Sequence, residues 1–310
     1  MFLALPNRVS DGNIFYFIPP VLLFFSIVGV VLLSKRFGKK FAYPFAAVLI
    51  WANFALHFLK IFMPYYQTDY PDSLWHIGVP NVCAVYIVFA PFIFHFGNKY
   101  LKDYLFYLGV VPGIAAFLIF VSPTSTLGAR GTFDNPMYLI EVTRYYSCHA
   151  LMVLSAIAMC SGKIHELNYH RLWAIPLWFA VALGLTFAQG VLLGPILKHP
   201  WFPHEWWGPD GIFNRFGAVG CMNQSFALGP GADKDAYFTW LYPYLIPYLM
   251  KYEAWGHTQF VPVIWSIPLM YIVTAIFGIP VSAPYDHARI KKDFSALGHA
   301  IGRLFHRKKA

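Results

Sequence analysis

Residues 138–160 read YLIEVTRYYSCHALMVLSAIAMC, an apolar stretch of membrane-spanning length that also carries Glu141, Arg144 and His149. Ionisable side chains are costly at membrane depth, and where they occur they usually face the bundle interior and mark a functional site. Glu141, Tyr145 and His149 recur every fourth residue, so in a helix they project from one face. The stretch therefore predicts a membrane helix with a polar face turned toward other helices.

The whole composition is that of an integral membrane protein. Hydrophobic residues make up 58% of the 310 residues, charged residues 12%, and the mean hydropathy is +0.52. In soluble domains the hydrophobic share averages about 45–50% and the charged share about 25%. Stretches of the length that crosses a bilayer, about 20 residues, occur at 13–34, 42–63, 77–97, 104–122, 138–160, 172–197 and 260–283. We predict an all-α polytopic membrane bundle of about seven transmembrane helices.

Lys and Arg in the connecting segments predict the orientation, because they are enriched on the cytoplasmic side. With the N-terminus out and the C-terminus in, the inside segments hold fifteen of them and the outside segments six. Residues 1–284 form the transmembrane domain. Residues 285–310 form a basic amphipathic cytoplasmic tail suited to an anionic inner leaflet, and the sparse aromatics there argue against nucleic-acid binding. The Trp- and Tyr-rich residues 198–259 predict an extracytoplasmic aromatic lid.

Several polar side chains fall in one layer near the predicted outer ends of the spans. Cys83 and Asn81 lie a turn or two into the third span, and His57 and Lys60 lie near the end of the second. Each also has a purely structural explanation: a thiol as apolar filler, Lys60 reaching the interface, or Glu141 in an ion pair with Arg144. Glu141 could instead orient the His149 imidazole through a water. Residue patterns alone leave a transporter or binding pocket as plausible as an enzyme.

The four cysteines show no disulfide framework and no metal-ligand spacing, and no cofactor motif is present, so we expect neither metal nor cofactor. Three stretches stand in a recognisable order: VPNVC at 79–83, YYSCHALM at 145–152, and CMNQSFAL at 221–228 followed by LYPY at 241–244. They resemble the YwaF-like family, which is grouped with transmembrane protein 164, in order and rough spacing over residues 45–280. Asn81 stands where the bacterial members usually have His.

The resemblance implies an acyltransferase-like membrane protein in which Cys83 carries the acyl group and His149 is the base, placed in a bacterial cytoplasmic membrane. A site facing the outer leaflet would take its acyl chain from a phospholipid rather than from cytosolic acyl-CoA, and would pass it to a lipid or a lipoprotein. Two alternatives stay open: a lipid or amphiphile transporter without covalent chemistry, and a membrane lipid hydrolase. Supporting or substrate-binding roles are expected for His57, Lys60, Asn81, Glu141, Arg144, Tyr145, Trp207 and Asn223.

Overall fold

The computed structural model describes residues 8–9, 14–62, 77–118, 132–196, 251–254, 257–260, 263–264 and 266–306. The prediction of an all-α polytopic bundle is confirmed. The helical segments Ile14–Phe37, Lys39–Phe62, Tyr169–Gln189 and Ser266–His299 are long and apolar enough to cross a membrane, and the apolar helix Val82–Phe96 is shorter. The total of seven spans and their orientation stay predictions.

Eight α-helices and one β-hairpin follow one another along the described chain. A 3₁₀ turn, Lys60–Phe62, extends α2; a second, Tyr169–Ala174, precedes α6; and a π-helical turn, Thr274–Gly278, joins α7 to α8. The helices are α1 (Ile14–Phe37), α2 (Lys39–Leu59), α3 (Val82–Phe96), α4 (Lys99–Ala115), α5 (Pro136–Ser161), α6 (Ile175–Ile196), α7 (Ser266–Val273) and α8 (Ile279–His306).

Asparagine caps set the starts of three helices. They explain why α3 and α4 begin at residues other than those predicted from the apolar runs. The Asn81 side chain accepts a hydrogen bond from Ala84 N at 2.8 Å, so α3 begins at Val82 rather than near 77. Asn98 accepts from two backbone amides and starts α4 at Lys99, five residues before the predicted span. Asn135 caps α5, with Pro136 in the first turn.

The short hairpin lies at the end of the segment predicted as a lid. Strands β1 (Lys251–Ala254) and β2 (His257–Phe260) pair antiparallel, with Lys251 opposite Phe260. Most of residues 198–259, including Trp207 and Asn223, lies outside the described residues. The lid therefore stays a prediction.

Helix α5 is the centre of the bundle and packs on α1, α2 and α4. Its contact with α2 is close because small residues line it: Ala42 and Ala46 are 0% exposed, and a Cβ placed on Gly162 would overlap the Cβ of Ala42. Small residues let membrane helices approach closely and gain van der Waals contact. This packing fixes the face of α2 that meets α5.

Replacing Gly162 with Val should destabilise the protein by about 1–3 kcal/mol, because the added side chain must push α2 away from α5. The matched control is Gly29→Val, since a Cβ on Gly29 meets nothing within 4 Å. Thermal unfolding in detergent should show a lower Tm for the first variant only. Equal Tm values for the two variants would contradict the close α2–α5 packing.

The end of the bundle where α3 and α5 finish is held by buried ion pairs. Asp103 on α4 is 1% exposed and accepts hydrogen bonds from His165 Nε2 at 2.7 Å and from Arg171, whose Nη2 lies 2.8 Å away. Arg171 also donates to the Glu166 carbonyl. These bonds join the start of α4 to the segment between α5 and α6, far from the Cys83 end of α3.

Candidate functional site

A buried polar seam runs between α2 and α5. Its polar side chains recur at positions i, i+4 and i+7 along α2 and the turn that extends it, and at positions i, i+3 and i+7 along α5. Each set of three therefore lies on one helix face. Asn53 Nδ2 donates to the Cys148 carbonyl at 3.0 Å, so the two faces meet. We call these six residues the polar seam: Asn53 and His57 on α2, Lys60 in the 3₁₀ turn that extends α2, and Glu141, Arg144 and Cys148 on α5.

The charged part of the seam is an ion pair. Arg144 Nε donates to Glu141 Oε2 at 2.8 Å and Nη2 donates to Oε1 at 2.6 Å, a two-bond geometry that makes the strongest type of pair. Glu141 is 2% exposed. Of the two arrangements that the sequence left open for Glu141, the structure shows pairing with Arg144.

Lys60 turns into the bundle instead of toward its surface. Its residue is 6% exposed, and it lies within electrostatic range of Arg144, Glu141 and Cys148. The explanation in which Lys60 only reaches for the interface is therefore wrong. Burial follows from the 3₁₀ turn Lys60–Phe62, which tightens the end of α2.

His57 and Gln189 hold the segment that leads into α3. His57 Nε2 lies 2.9 Å from both the Ile77 and Gly78 carbonyls, so that nitrogen carries the proton and donates. On α6, Gln189 accepts a hydrogen bond from Val79 N. Together with the Asn81 cap, these bonds fix the backbone immediately before Cys83. The oxygen of Asn81 is used in this cap, so its role is positioning α3.

His149 lies on the other flank of α5. Its Nδ1 is 2.8 Å from the Tyr145 carbonyl, so Nδ1–H donates and Nε2 is left as the proton acceptor. The His149 ring packs against the Tyr145 ring, with centroids 4.6 Å apart. Tyr145 OH donates to the Ala116 carbonyl just after α4 at 3.3 Å. The polar face predicted for α5 is thus divided: Glu141, Arg144 and Cys148 face α2, and Tyr145 and His149 face α4.

Cys83 and His149 are not hydrogen-bonded to each other in the described part of the chain. Cys83 is the second residue of α3 and is partly buried against the core. Helix α4 packs on both α3 and α5: a Cβ on Gly109 would lie 2.8 Å from Ala156 and 2.9 Å from the Tyr86 hydroxyl. Helices α3 and α5 are also in direct contact, because the Tyr86 hydroxyl donates to the Met152 carbonyl at 3.5 Å. The pairing of the Cys83 thiol with His149 stays a prediction.

A groove of about 380 Å³ opens on the bundle surface beside the polar seam. Arg144 is the one charged residue among the described residues that line it, and Leu139 and Ile140 are 50% and 41% exposed. Its volume is within the range of ligand sites, roughly 300–1,000 Å³. The groove is lined by Leu56, Leu139, Ile140, Thr143, Arg144 and Ser147.

Sequence reasoning assigned no role to Asn53, Cys148 or Gln189, or to the residues that line the groove other than Arg144. Asn53 precedes His57 by four residues, so the helical spacing in α2 was a usable signal. Gln189 belongs to an otherwise apolar helix, where a lone amide is a similar signal.

Comparisons with protein-family models, curated proteins and solved structures find no match.

Proposed function

We propose that this protein is a membrane acyltransferase that takes a fatty acyl chain from a phospholipid and passes it to a lipid or lipoprotein acceptor. The observation that carries the proposal is the apolar groove on the lipid-facing surface of α2 and α5, with Arg144 in its wall and the polar seam directly behind it. A lipid that enters laterally meets an apolar channel first and a cation next.

The groove fits a phospholipid in two ways. Its aliphatic wall, from Leu56, Leu139 and Ile140, matches an acyl chain. Arg144 contributes a planar guanidinium to the groove wall, and guanidinium groups are well suited to phosphate. Lys60 places a second basic side chain near Arg144. We place the phosphate at Arg144 and one chain along the groove.

The proposed chemistry uses Cys83 and His149. His149 Nε2 takes the thiol proton, directly or through one water, and the Cys83 thiolate attacks the ester carbonyl carbon of the phospholipid. The ester C–O bond breaks, and the lysophospholipid leaves as its alcohol with the proton from the imidazolium. The acceptor hydroxyl or amine then attacks the thioester, its proton returns through His149, and the C–S bond breaks to restore the thiol.

Two observations support these roles. The Nδ1–H bond to Tyr145 fixes the His149 tautomer that leaves Nε2 as the proton acceptor, and Cys83 lies in the first turn of α3, next to the Asn81 cap that fixes the backbone there. The resemblance to the YwaF-like family points to the same pair. We place the site toward the outer leaflet, where phospholipid is the available acyl donor.

The experiment is acyl exchange between a deuterated phospholipid and a lysophospholipid or a lipoprotein peptide, with the purified protein in nanodiscs. Ser147→Trp, which fills the groove, should raise the apparent KM for the donor roughly tenfold, the loss expected when about 1.4 kcal/mol of substrate contact is removed. The control is Ser295→Trp, which makes the same change at an exposed position of α8 that does not line the groove. A KM unchanged by Ser147→Trp would place the lipid elsewhere.

A second candidate is a lipid-binding or transport protein without covalent chemistry. The observation that favours it is the separation of Cys83 from His149, which have no hydrogen bond between them in the described ranges. The same groove and Arg144 would serve it unchanged. This second candidate predicts that lipid exchange between leaflets survives removal of the Cys83 thiol. A lipid hydrolase would instead release free fatty acid, and it would lose that activity when the thiol is removed.

A further inference from the structure

The last helix leaves the bundle at a defined point. Residues 266–286 rise about 1.5 Å each and so cover roughly 30 Å, which is the thickness of a bilayer hydrocarbon core. At Asp286 the backbone departs from helical geometry, with φ −127° and ψ 26°. Asp286 accepts from Tyr169 N at 2.9 Å and from Arg289 Nη1 at 2.8 Å. The kink therefore lies at the level where the helix reaches the headgroups.

A second connection follows two turns later. Asp293 accepts hydrogen bonds from the Tyr169 hydroxyl and from His170 Nε2, the latter at 2.7 Å. Asp286 and Asp293 both accept a hydrogen bond from Tyr169, so the two carboxylates face the same segment. We call residues 287–306 the tail helix. The two connections hold its first half beside the segment between α5 and α6, which fixes its direction at the point where it leaves the span.

The tail helix carries an apolar stripe that the described bundle does not cover. Phe294 is 54% and Leu297 55% exposed, and the half-buried Ile290 precedes them at helical spacing. Lys291, Lys292 and Ser295 are exposed on the opposite side. A helix with one apolar side and one basic side is the type that lies in a membrane interface.

We infer that the tail helix lies flat on a lipid surface containing anionic phospholipids, with Phe294 and Leu297 inserted among the lipids and the lysines at the phosphates. The occupant is a lipid surface because the helix is continuous with a membrane-length segment that ends at the Asp286 kink, so headgroups are the nearest neighbours of its exposed side. The basic residues supply the charge complementarity that anionic headgroups require. This inference is independent of the acyl transfer proposed above.

The experiment uses the full chain in nanodiscs, with a spin label on Leu297→Cys or on Ser295→Cys, and the chain without an added cysteine as background. With lipids that include phosphatidylglycerol, the label at 297 should be accessible to oxygen and shielded from a water-soluble nickel chelate, and the label at 295 should show the reverse. In phosphatidylcholine alone, the contrast between the two positions should fall by at least about half.

The double variant Lys291→Gln, Lys292→Gln should remove most of that dependence on the anionic lipid. The control is Lys39→Gln, Lys40→Gln, which removes the same charge from exposed positions at the start of α2. Equal nickel access at 297 and 295 would overturn the inference, since the tail helix would then be in water. A label at 297 that is immobilised but shielded from oxygen would also overturn it, because a protein surface would then cover the stripe.

Discussion

Replacing Glu141 with Gln is expected to cost about 3–5 kcal/mol of folding free energy, the usual result of removing one partner of a buried ion pair. The amide fills the same volume, so the loss is electrostatic: the Arg144 guanidinium loses the carboxylate that holds two of its N–H groups. The Tm in detergent should fall sharply, and the protein recovered in folded form should decrease.

Two comparison variants identify the cause. Asp134→Asn makes the same chemical change at an exposed residue just before α5 and should be nearly neutral. The double variant Glu141→Gln, Arg144→Gln should be more stable than Glu141→Gln alone, because the uncompensated cation is gone. If Asp134→Asn lowers the Tm as much as Glu141→Gln does, the ion pair is not what stabilises this part of the bundle.

Cys83→Ala is expected to lower the rate of acyl exchange by roughly 1,000-fold or more, the scale of loss when a catalytic nucleophile is removed. The measurement is initial-rate exchange of deuterated acyl chains by the variant and by the unmodified protein at equal amounts. Binding of the phospholipid should be little changed, because Arg144 and the groove are intact. The loss should therefore appear in kcat rather than in KM.

Cys160→Ala is the matched control for this prediction. Cys160 is also buried in a helix, but it lies three turns beyond Cys148 on α5, away from the groove. Its replacement should leave the exchange rate within a few-fold of the original. Exchange that survives Cys83→Ala would remove the thioester intermediate and leave the binding or transport function.

The helices were predictable from the sequence because apolar runs and asparagine caps are local signals. The runs at 13–34, 42–63 and 138–160 coincide with α1, α2 and α5 to within a few residues. The offsets at α3 and α4 arise because Asn81 and Asn98 cap the helices, which hydropathy does not register. The asparagine caps in the polar connections were the signal that would have located the starts of these two helices.

The arrangement of the site was less predictable, because it depends on how each helix is rotated. The i, i+4 spacing correctly put Tyr145 and His149 on one face of α5, but it could not show that Glu141 turns toward α2 with Arg144. That division follows from the small residues Ala42 and Gly162, which bring α2 against α5. The position of α4 against both α3 and α5 likewise depends on Gly109, a glycine whose role only the packed structure reveals.

The central claim, that a cysteine of this protein carries an acyl group taken from a phospholipid, is tested most directly by intact-protein mass. The purified protein is incubated with phospholipid of a single acyl composition and quenched in acid. We expect a mass increase equal to one acyl chain, removal of that increase by neutral hydroxylamine, and its location at Cys83 by peptide mapping. The account would be contradicted if the protein stays unmodified after it has turned over the lipid. It would also be contradicted if the acyl adduct lies on Cys148 and Cys83 carries none.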